Sequence, residues 1–235
     1  EIEIKVNDSY ELPNKVCEVS PEPLVTVRTS TYQHGNFIKE CIEGIINQKT
    51  NFQFEFIIGE DFSTDGTREI VFEYAKKYPN VIRVITADYN VGSKANGRRC
   101  IAASRGKYMA ICEGDDYWTD PYKLQKQVDF LEANPEYVLT HTDYTNKNQE
   151  TGEITEAIHE SKGDIPSEEE NCAPLIISDR YHVATCTAVF RMKESLYIDK
   201  KYADDFDERY VMGDYQRWFH LARLGKLKYL PEVTA

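Results

Sequence analysis

Three carboxylates fall within four positions of the stretch "AICEGDDYW", residues 110–118: Glu113, Asp115 and Asp116. They follow directly on the apolar run Tyr108, Met109, Ala110, Ile111 and Cys112, so they stand at the end of what reads as a buried strand. Crowded carboxylates repel one another and lose hydration, and such a cluster is stabilised by a cation, by a cationic partner or by solvent. The chain already carries a formal net charge of −12, which sharpens the choice among the three.

Alternating strand and helix patterns must position these groups. "LVTVRT" (24–29) reads as a strand, after which Phe37, Ile38, Cys41, Ile42, Ile45 and Ile46 recur at helical spacing. "FEFIIG" (54–59) is a second strand, followed by a helix with Ile70, Val71, Tyr74 and Tyr78 on one face. Between them "DFSTDGT" is turn chemistry, with Asp65 or Thr67 placed to cap the helix. "VIRVIT" (81–86) makes a third strand, and "NVGSKANGRRCIAASRGKY" leads through a glycine-containing loop into a short helix. The fourth strand is the opening stretch. "TDPYKLQKQVDFLEAN" then starts a helix with Asp120 as N-cap and Pro121 at its first position. The alternation predicts an α/β fold with a largely parallel sheet. Ligands of such sheets bind outside the carboxyl ends of the strands. Those ends carry Ser30, Thr31 and Tyr32, then Glu60 and Asp61, then Glu113, Asp115 and Asp116, which are expected to converge on one edge.

Residues 1–22 alternate weakly and end in a "PEP" turn, which reads as an N-terminal extension. Residues 145–181 form a polar, acidic stretch expected to be a solvated loop ending in a short helix at "CAPLIIS". "TCTAVFRM" (185–192) reads as a strand, "GDYQRWFHLARLGK" as an amphipathic helix stopped by Gly225, and "LKYLPEVTA" as strand-like. Composition is that of a globular protein, 41% hydrophobic, and no apolar run suggests a membrane span or signal peptide. The six cysteines lack any CxxC pair and read as reduced thiols of a cytoplasmic protein. Acidity disfavours nucleic acid as a partner. Tyr117 and Trp118 suit a core, with stacking on a ligand as the other use; His141 and His182 read as structural; Arg28 reads as neutralising a nearby carboxylate.

From about Pro23 to Tyr144, and again over 185–235, the chain resembles the family 2 glycosyltransferases, an inverting group with the GT-A fold that uses nucleotide-activated sugars. Five ordered motifs carry the resemblance: "LVTVRTSTYQ", "FEFIIGEDFSTDGT", "NVGSKANGRRCIAASRGKY", "EGDDYW" in the place of the DXD motif, and "GDYQRWFHLARLGK". The resemblance implies that Asp61 accepts a hydrogen bond from a uracil edge, with Ser30, Thr31 and Tyr32 lining the base pocket and Asn96 among the nucleotide contacts. It implies Asp115 as ligand of Mn²⁺ or Mg²⁺, Asp116 as a second ligand or a residue orienting the loop, and Glu113 in a ribose or water-mediated metal contact. Hard oxygen donors suit these ions, and a bound cation would let an acidic protein hold an anionic diphosphate. Asp214 is implied as the catalytic base, with helix capping as its bland alternative.

The implied partners are a UDP-sugar donor and a saccharide or lipid-linked saccharide acceptor, in surface polysaccharide synthesis, with a homo-oligomer left open. The expected setting is the cytoplasm, or the inner face of a membrane reached through segments absent from this sequence. Four positions depart from the family pattern: Glu113 for the usual Asp, Gly97 where arginine is common, Gly213 before the base, and Arg28 inside a normally apolar strand. Two other functions stay open. A sugar nucleotidyltransferase would need a glycine-rich loop, and "TSTYQHGNF" has one glycine; a catalytically silent nucleotide-sugar or glycan-binding module would not need Asp214. The expected organisation is an extension at 1–22, a nucleotide-sugar-binding half at 23–144 and an acceptor-side half with the catalytic helix at 145–235, truncated at its C-terminus.

Overall fold

Residues 2–13, 22–159, 172–178, 180–202 and 213–235 are described by the computed structural model. They fall into two units, Glu1–Pro121 and Tyr122–Ala235.

In the first unit the apolar runs become parallel strands β2 (Val25–Thr31), β3 (Phe54–Glu60), β4 (Ile82–Thr86) and β5 (Tyr108–Ile111). Their order across the sheet is β4-β3-β2-β5, with Thr31 beside Glu60 and Arg28 between Ile57 and Ile111. Val25, Val27, Phe56, Ile57, Ile58, Val84, Met109 and Ala110 are all buried, as strands covered on both faces require. Helix α2 (Ile38–Ile46) packs with α3 (Thr67–Lys77), and α4 (Ser93–Ala103) lies on β2 and β3. Gly59 permits that approach: a Cβ there would come within 2.3 Å of Asn96 Oδ1 and 2.5 Å of Cys100 Sγ. The chain leaves β2 towards β3 and β4, then returns to place β5 on the other side of β2. The order therefore reverses between β2 and β5, where α/β sheets open their ligand crevice.

The N-terminal stretch is built into this unit. Helix α1 (Ile2–Asn7) packs on α4, and β1 (Tyr10–Glu11) pairs antiparallel with β4. Arg83 fastens it, donating to both Glu11 oxygens at 2.8 and 2.7 Å while Nη1 reaches the fully buried Glu55 at 2.8 Å.

In the second unit β6 (Tyr137–Asp143) pairs parallel with β10 (Lys226–Val233) and antiparallel with β9 (Val189–Arg191). Helix α5 (Lys123–Ala133) covers β6 and β9, and α6 (Ala173–Ile177) and α7 (Met192–Lys201) both pack on α8 (Gly213–Ala222). Strands β7 (Asn146–Lys147) and β8 (Ile154–Thr155) form a separate exposed ribbon.

Several expectations are corrected. Helix α5 begins at Lys123 with Tyr122 at its N-cap position, two residues later than the expected cap at Asp120. The Asp120 and Pro121 carbonyls accept from Gln48 Nε2 at 2.8 Å and the Lys49 N–H at 2.8 Å, which tie this turn to the end of α2. The stretch 185–192 is not one strand: Thr185–Thr187 is a 3₁₀ turn, only Val189–Arg191 is extended, and Met192 already opens α7. The polar stretch after 145 carries the β7–β8 ribbon and buried Ile158 and His159; residues 160–171 lie outside the described residues, as does Cys17. The other five cysteines are buried thiols.

Candidate active site

The three acidic and polar clusters do meet at the carboxyl edge of the first sheet, with unequal freedom. After β5 the chain stays bonded to β2: the Cys112 N–H donates to Arg28 O at 3.1 Å and the Gly114 N–H to Ser30 O at 3.2 Å. Gly114 makes this close seat possible, since a Cβ would lie 2.5 Å from both Thr31 Oγ1 and His34 Nδ1. The turn thus holds Glu113 half-buried against Arg28, whose Nη2 lies 3.5 Å from Glu113 Oε1, and leaves Asp115 exposed. Asp116 is half-buried and its N–H donates to Glu113 O at 3.1 Å, which closes the turn.

The acidic pair after β3 points inward. Glu60 is fully buried; Oε1 accepts the Ser63 N–H at 2.7 Å and Oε2 accepts the Thr86 hydroxyl at 3.1 Å, with Arg68 Nη1 at 3.3 Å. Asp61, 2% exposed, accepts the main-chain N–H groups of Val91 at 2.8 Å and Gly92 at 2.9 Å, one on each oxygen. Arg99 Nη2 lies 3.6 Å from Asp61 Oδ1 and donates to Glu60 O at 2.8 Å. In this structure Asp61 therefore clamps the loop between β4 and α4. Asn96, also buried, is engaged at both ends of its amide, donating to Gly59 O at 2.8 Å and accepting from Arg99 Nε at 2.9 Å.

Open surface at this edge comes from Ser30, half-exposed, and from Tyr32 and Phe62, which are 46% and 40% exposed. Gln33 and Phe62 hold positive φ angles of 59° and 65°, a conformation costly for side-chain-bearing residues and concentrated at functional loops. The two loops are clipped together: the Thr64 N–H donates to Gln33 Oε1 at 2.9 Å and Gln33 Nε2 to Thr64 Oγ1 at 3.1 Å. Asp65 accepts from the Gly35 N–H at 2.8 Å and from the Thr67 N–H at 3.1 Å, so it serves both the turn and the start of α3. Trp118 is buried, whereas Tyr117 is 40% exposed, so the aromatic pair divides between core and surface.

In the second unit Asp214 is half-buried in the first turn of α8 and is held from outside its helix, for Thr185 Oγ1 donates to its Oδ2 at 2.5 Å. His141 is fully buried and hydrogen-bonded to the Tyr181 hydroxyl. Burial pushes its pKa down to about 3, so the ring is neutral.

A divalent ion has a limited set of protein ligands here. Among the described residues no group of three or more His, Cys, Asp and Glu side chains is placed to hold a metal by itself. The donors at the end of β5 are hard carboxylate oxygens, Asp115 is exposed, and Mg²⁺-type sites commonly use one or two carboxylates with substrate phosphates completing the shell. The residues fit an ion that arrives with a diphosphate.

A family model described as Glycosyl transferase family 2 matches residues 26–196. This chain belongs to that family. Its fold is GT-A, a largely parallel central sheet flanked by helices. A mannosyltransferase from Pyrobaculum calidifontis, solved with GDP-Man and Mn²⁺, superposes with a TM-score of 0.66 at 17% identity, over 99% of this chain and 61% of that one. An uncharacterized protein of Mycobacterium tuberculosis is 45% identical over 112 residues, 48% of this chain and 32% of that protein. Bacillus subtilis TuaG, named for teichuronic acid biosynthesis, is 30% identical over 138 residues, 59% of this family 2 chain and 53% of TuaG. The chain thus spans about a third to a half of the length of these curated relatives. Among the described residues no helix is long and apolar enough to cross a membrane.

Sequence reasoning did not find the residues that hold the candidate side chains. Arg99 was visible only as one of two adjacent arginines, and Thr185 as part of an expected strand. Gly114 carries a local signal, a glycine between two acidic residues at a strand end.

Proposed function

We propose that this family 2 chain carries the donor-binding and catalytic portion of a metal-dependent, inverting glycosyltransferase. The donor is a UDP-sugar, the acceptor a saccharide or lipid-linked saccharide, and the setting surface polysaccharide synthesis at the cytoplasmic face of a membrane. The observation that carries the reading is the meeting of Ser30–Tyr32 with Glu113–Asp116 where the strand order reverses between β2 and β5. Exposed Tyr32 offers the nucleotide base a stacking face, and Asp61 shapes the pocket by fixing the β4–α4 loop. Asp115 holds a divalent ion together with the donor's phosphates, with Asp116 as the second candidate. When bound, that ion offsets charge gathering on the leaving diphosphate.

Asp214 acts as general base. It takes the proton of the acceptor hydroxyl as the acceptor oxygen bonds to the anomeric carbon, and the bond to the diphosphate oxygen breaks with its electron pair leaving on UDP. One displacement inverts the anomeric centre. Thr185 orients the carboxylate that takes the proton.

Calorimetry with UDP and with GDP, each in Mn²⁺ and in EDTA, tests the donor half. UDP should bind in Mn²⁺ and lose most of its affinity in EDTA, because Asp115 then faces the diphosphate as like charge. Equal affinity in EDTA refutes the metal role, and tighter GDP than UDP refutes the uridine assignment.

A further inference from the structure

Arg28 is a cation in the middle of a buried strand, flanked across the sheet by Ile57 and Ile111. A charge in that position costs several kcal/mol unless it is paired and hydrogen-bonded. Three arginines packed around this sheet, Arg83 on β4, Arg99 on α4 and Arg105 just after it, meet the condition. Arg83 and Arg105 hold Glu55 at 2.8 and 2.6 Å, and Arg99 donates to Asn96, Ser9 and Glu60. Arg28 does not. Its one ion pair among the described residues is the 3.5 Å contact to Glu113, well beyond the ~2.7–2.9 Å of a charge-assisted bond, and its buried Nε has no hydrogen-bond partner there.

The guanidinium has a seat made for it. Arg28 shares its face of the sheet with Ser30, beneath α4, and a Cβ on Gly97 would come within 3.0 Å of Arg28 Nη1. The missing side chain at Gly97 leaves room for the arginine head, which is 14% exposed at the β2–β5 crevice. Two sequence oddities, an arginine in the strand and a glycine in the helix, are one spatial feature.

We propose that Arg28 is a ligand-binding residue of the donor site, whose guanidinium receives an anionic oxygen of the donor's diphosphate. This rests on the nucleotide-sugar reading above and adds a residue to it. A planar fork of N–H donors suits phosphate, and in a crevice lined by Glu113, Asp115 and Asp116 it supplies the positive charge that the carboxylates lack. Neutralising Glu113 is the competing role, and the two separate by experiment.

The test is UDP and uridine affinity in Mn²⁺ for wild type, Arg28→Met, Glu113→Gln and the double variant. Methionine keeps the volume without the charge, so the buried strand tolerates it. Arg28→Met should weaken UDP tenfold or more, leave uridine within twofold, and weaken UDP further in the Glu113→Gln background. Arg28→Lys, which keeps the charge and loses the fork, should restore part of the UDP affinity. If Arg28→Met adds no loss once Glu113 is neutral, or if uridine suffers equally, the inference is overturned while the donor reading stands. Wild type that binds no nucleotide removes both. Should the methionine variant unfold, the same comparison with Arg28→Lys decides, because a lysine that binds UDP as wild type does overturns the forked contact.

Discussion

Thr185 donates its hydroxyl to Oδ2 of Asp214 at 2.5 Å, while Oδ1 of the same carboxylate accepts the Tyr215 N–H at 2.9 Å. The carboxylate of the proposed base is therefore oriented by a residue 29 positions earlier in the chain. Asp214→Asn keeps shape and much of the capping but cannot accept the acceptor's proton. Transfer should fall by ~10²–10⁴ with nearly unchanged nucleotide affinity and melting temperature. Thr185→Val should lower transfer less, because the base survives but loses one charge-assisted hydrogen bond of ~1.5–3 kcal/mol. Wild-type turnover by the Asn variant with a true acceptor assigns the base elsewhere, with Asp116 next to test.

Asp61 satisfies two main-chain N–H groups and lies beside the buried Arg99. Asp61→Ala leaves the 2%-exposed Val91 N–H without its acceptor and Arg99 without its nearby anion. Stability in urea should fall by ~3–5 kcal/mol, the cost of stranding a buried charge, and UDP should bind more weakly with its metal requirement intact. A variant that unfolds like wild type contradicts the clamp.

Acid should weaken the second unit before the first. Burial, aided by the neighbouring His159 ring, pushes His141 down to about 3, below the ~6.5 of an unfolded chain. A depressed histidine contributes stability above pH ~6.5 and loses it as pH falls from there towards 3, where the folded ring finally charges; between pH 7 and 5 the loss is about 2 kcal/mol. His141→Gln should remove most of this slope in urea titrations. Glu55 in the first unit, where burial is outweighed by hydrogen bonds from Thr26, Arg105 and Arg83, has a lowered pKa, so its contribution is lost only below the ordinary carboxylate range. Equal stability at pH 5 and 7 is the result that sinks the histidine account.

The N-terminal stretch should influence nucleotide affinity although it lies outside residues 26–196. Ile2 and Val6 pack on Ala87, Val91 and Ala95, Tyr89 donates to Asp8 at 2.7 Å, and Ser9 accepts from Arg99 at 3.2 Å. These contacts brace the same loop that Asp61 holds. Val6→Asp should cost ~1–3 kcal/mol, raise the UDP dissociation constant and expose residues 88–92 to protease. Unchanged affinity would make the stretch a structural edge and nothing more.

The alternation of strands and helices was legible in the amino-acid order because it is written in local periodicity. Apolar runs such as "FEFIIG" need only their own residues to announce burial, and turns such as Asp65-Gly66 need only their neighbours. That the carboxylates stand at the carboxyl ends of strands follows from the same reading. Strand β6 escaped it because "YVLTHTD" carries four polar residues into the core, acceptable only through distant partners: Thr142 with Thr234, His141 with Tyr181, Asp143 with Tyr229. The freedom of each acidic oxygen was undecidable for the same reason. Asp61 and Asn96 look available in the sequence and are occupied by Val91, Gly92, Gly59 and Arg99, while Asp115 is exposed. Most of these hydrogen bonds join residues 30 to 92 positions apart and leave no periodic trace. Only the folded chain shows which carboxylates hold the scaffold and which stay exposed.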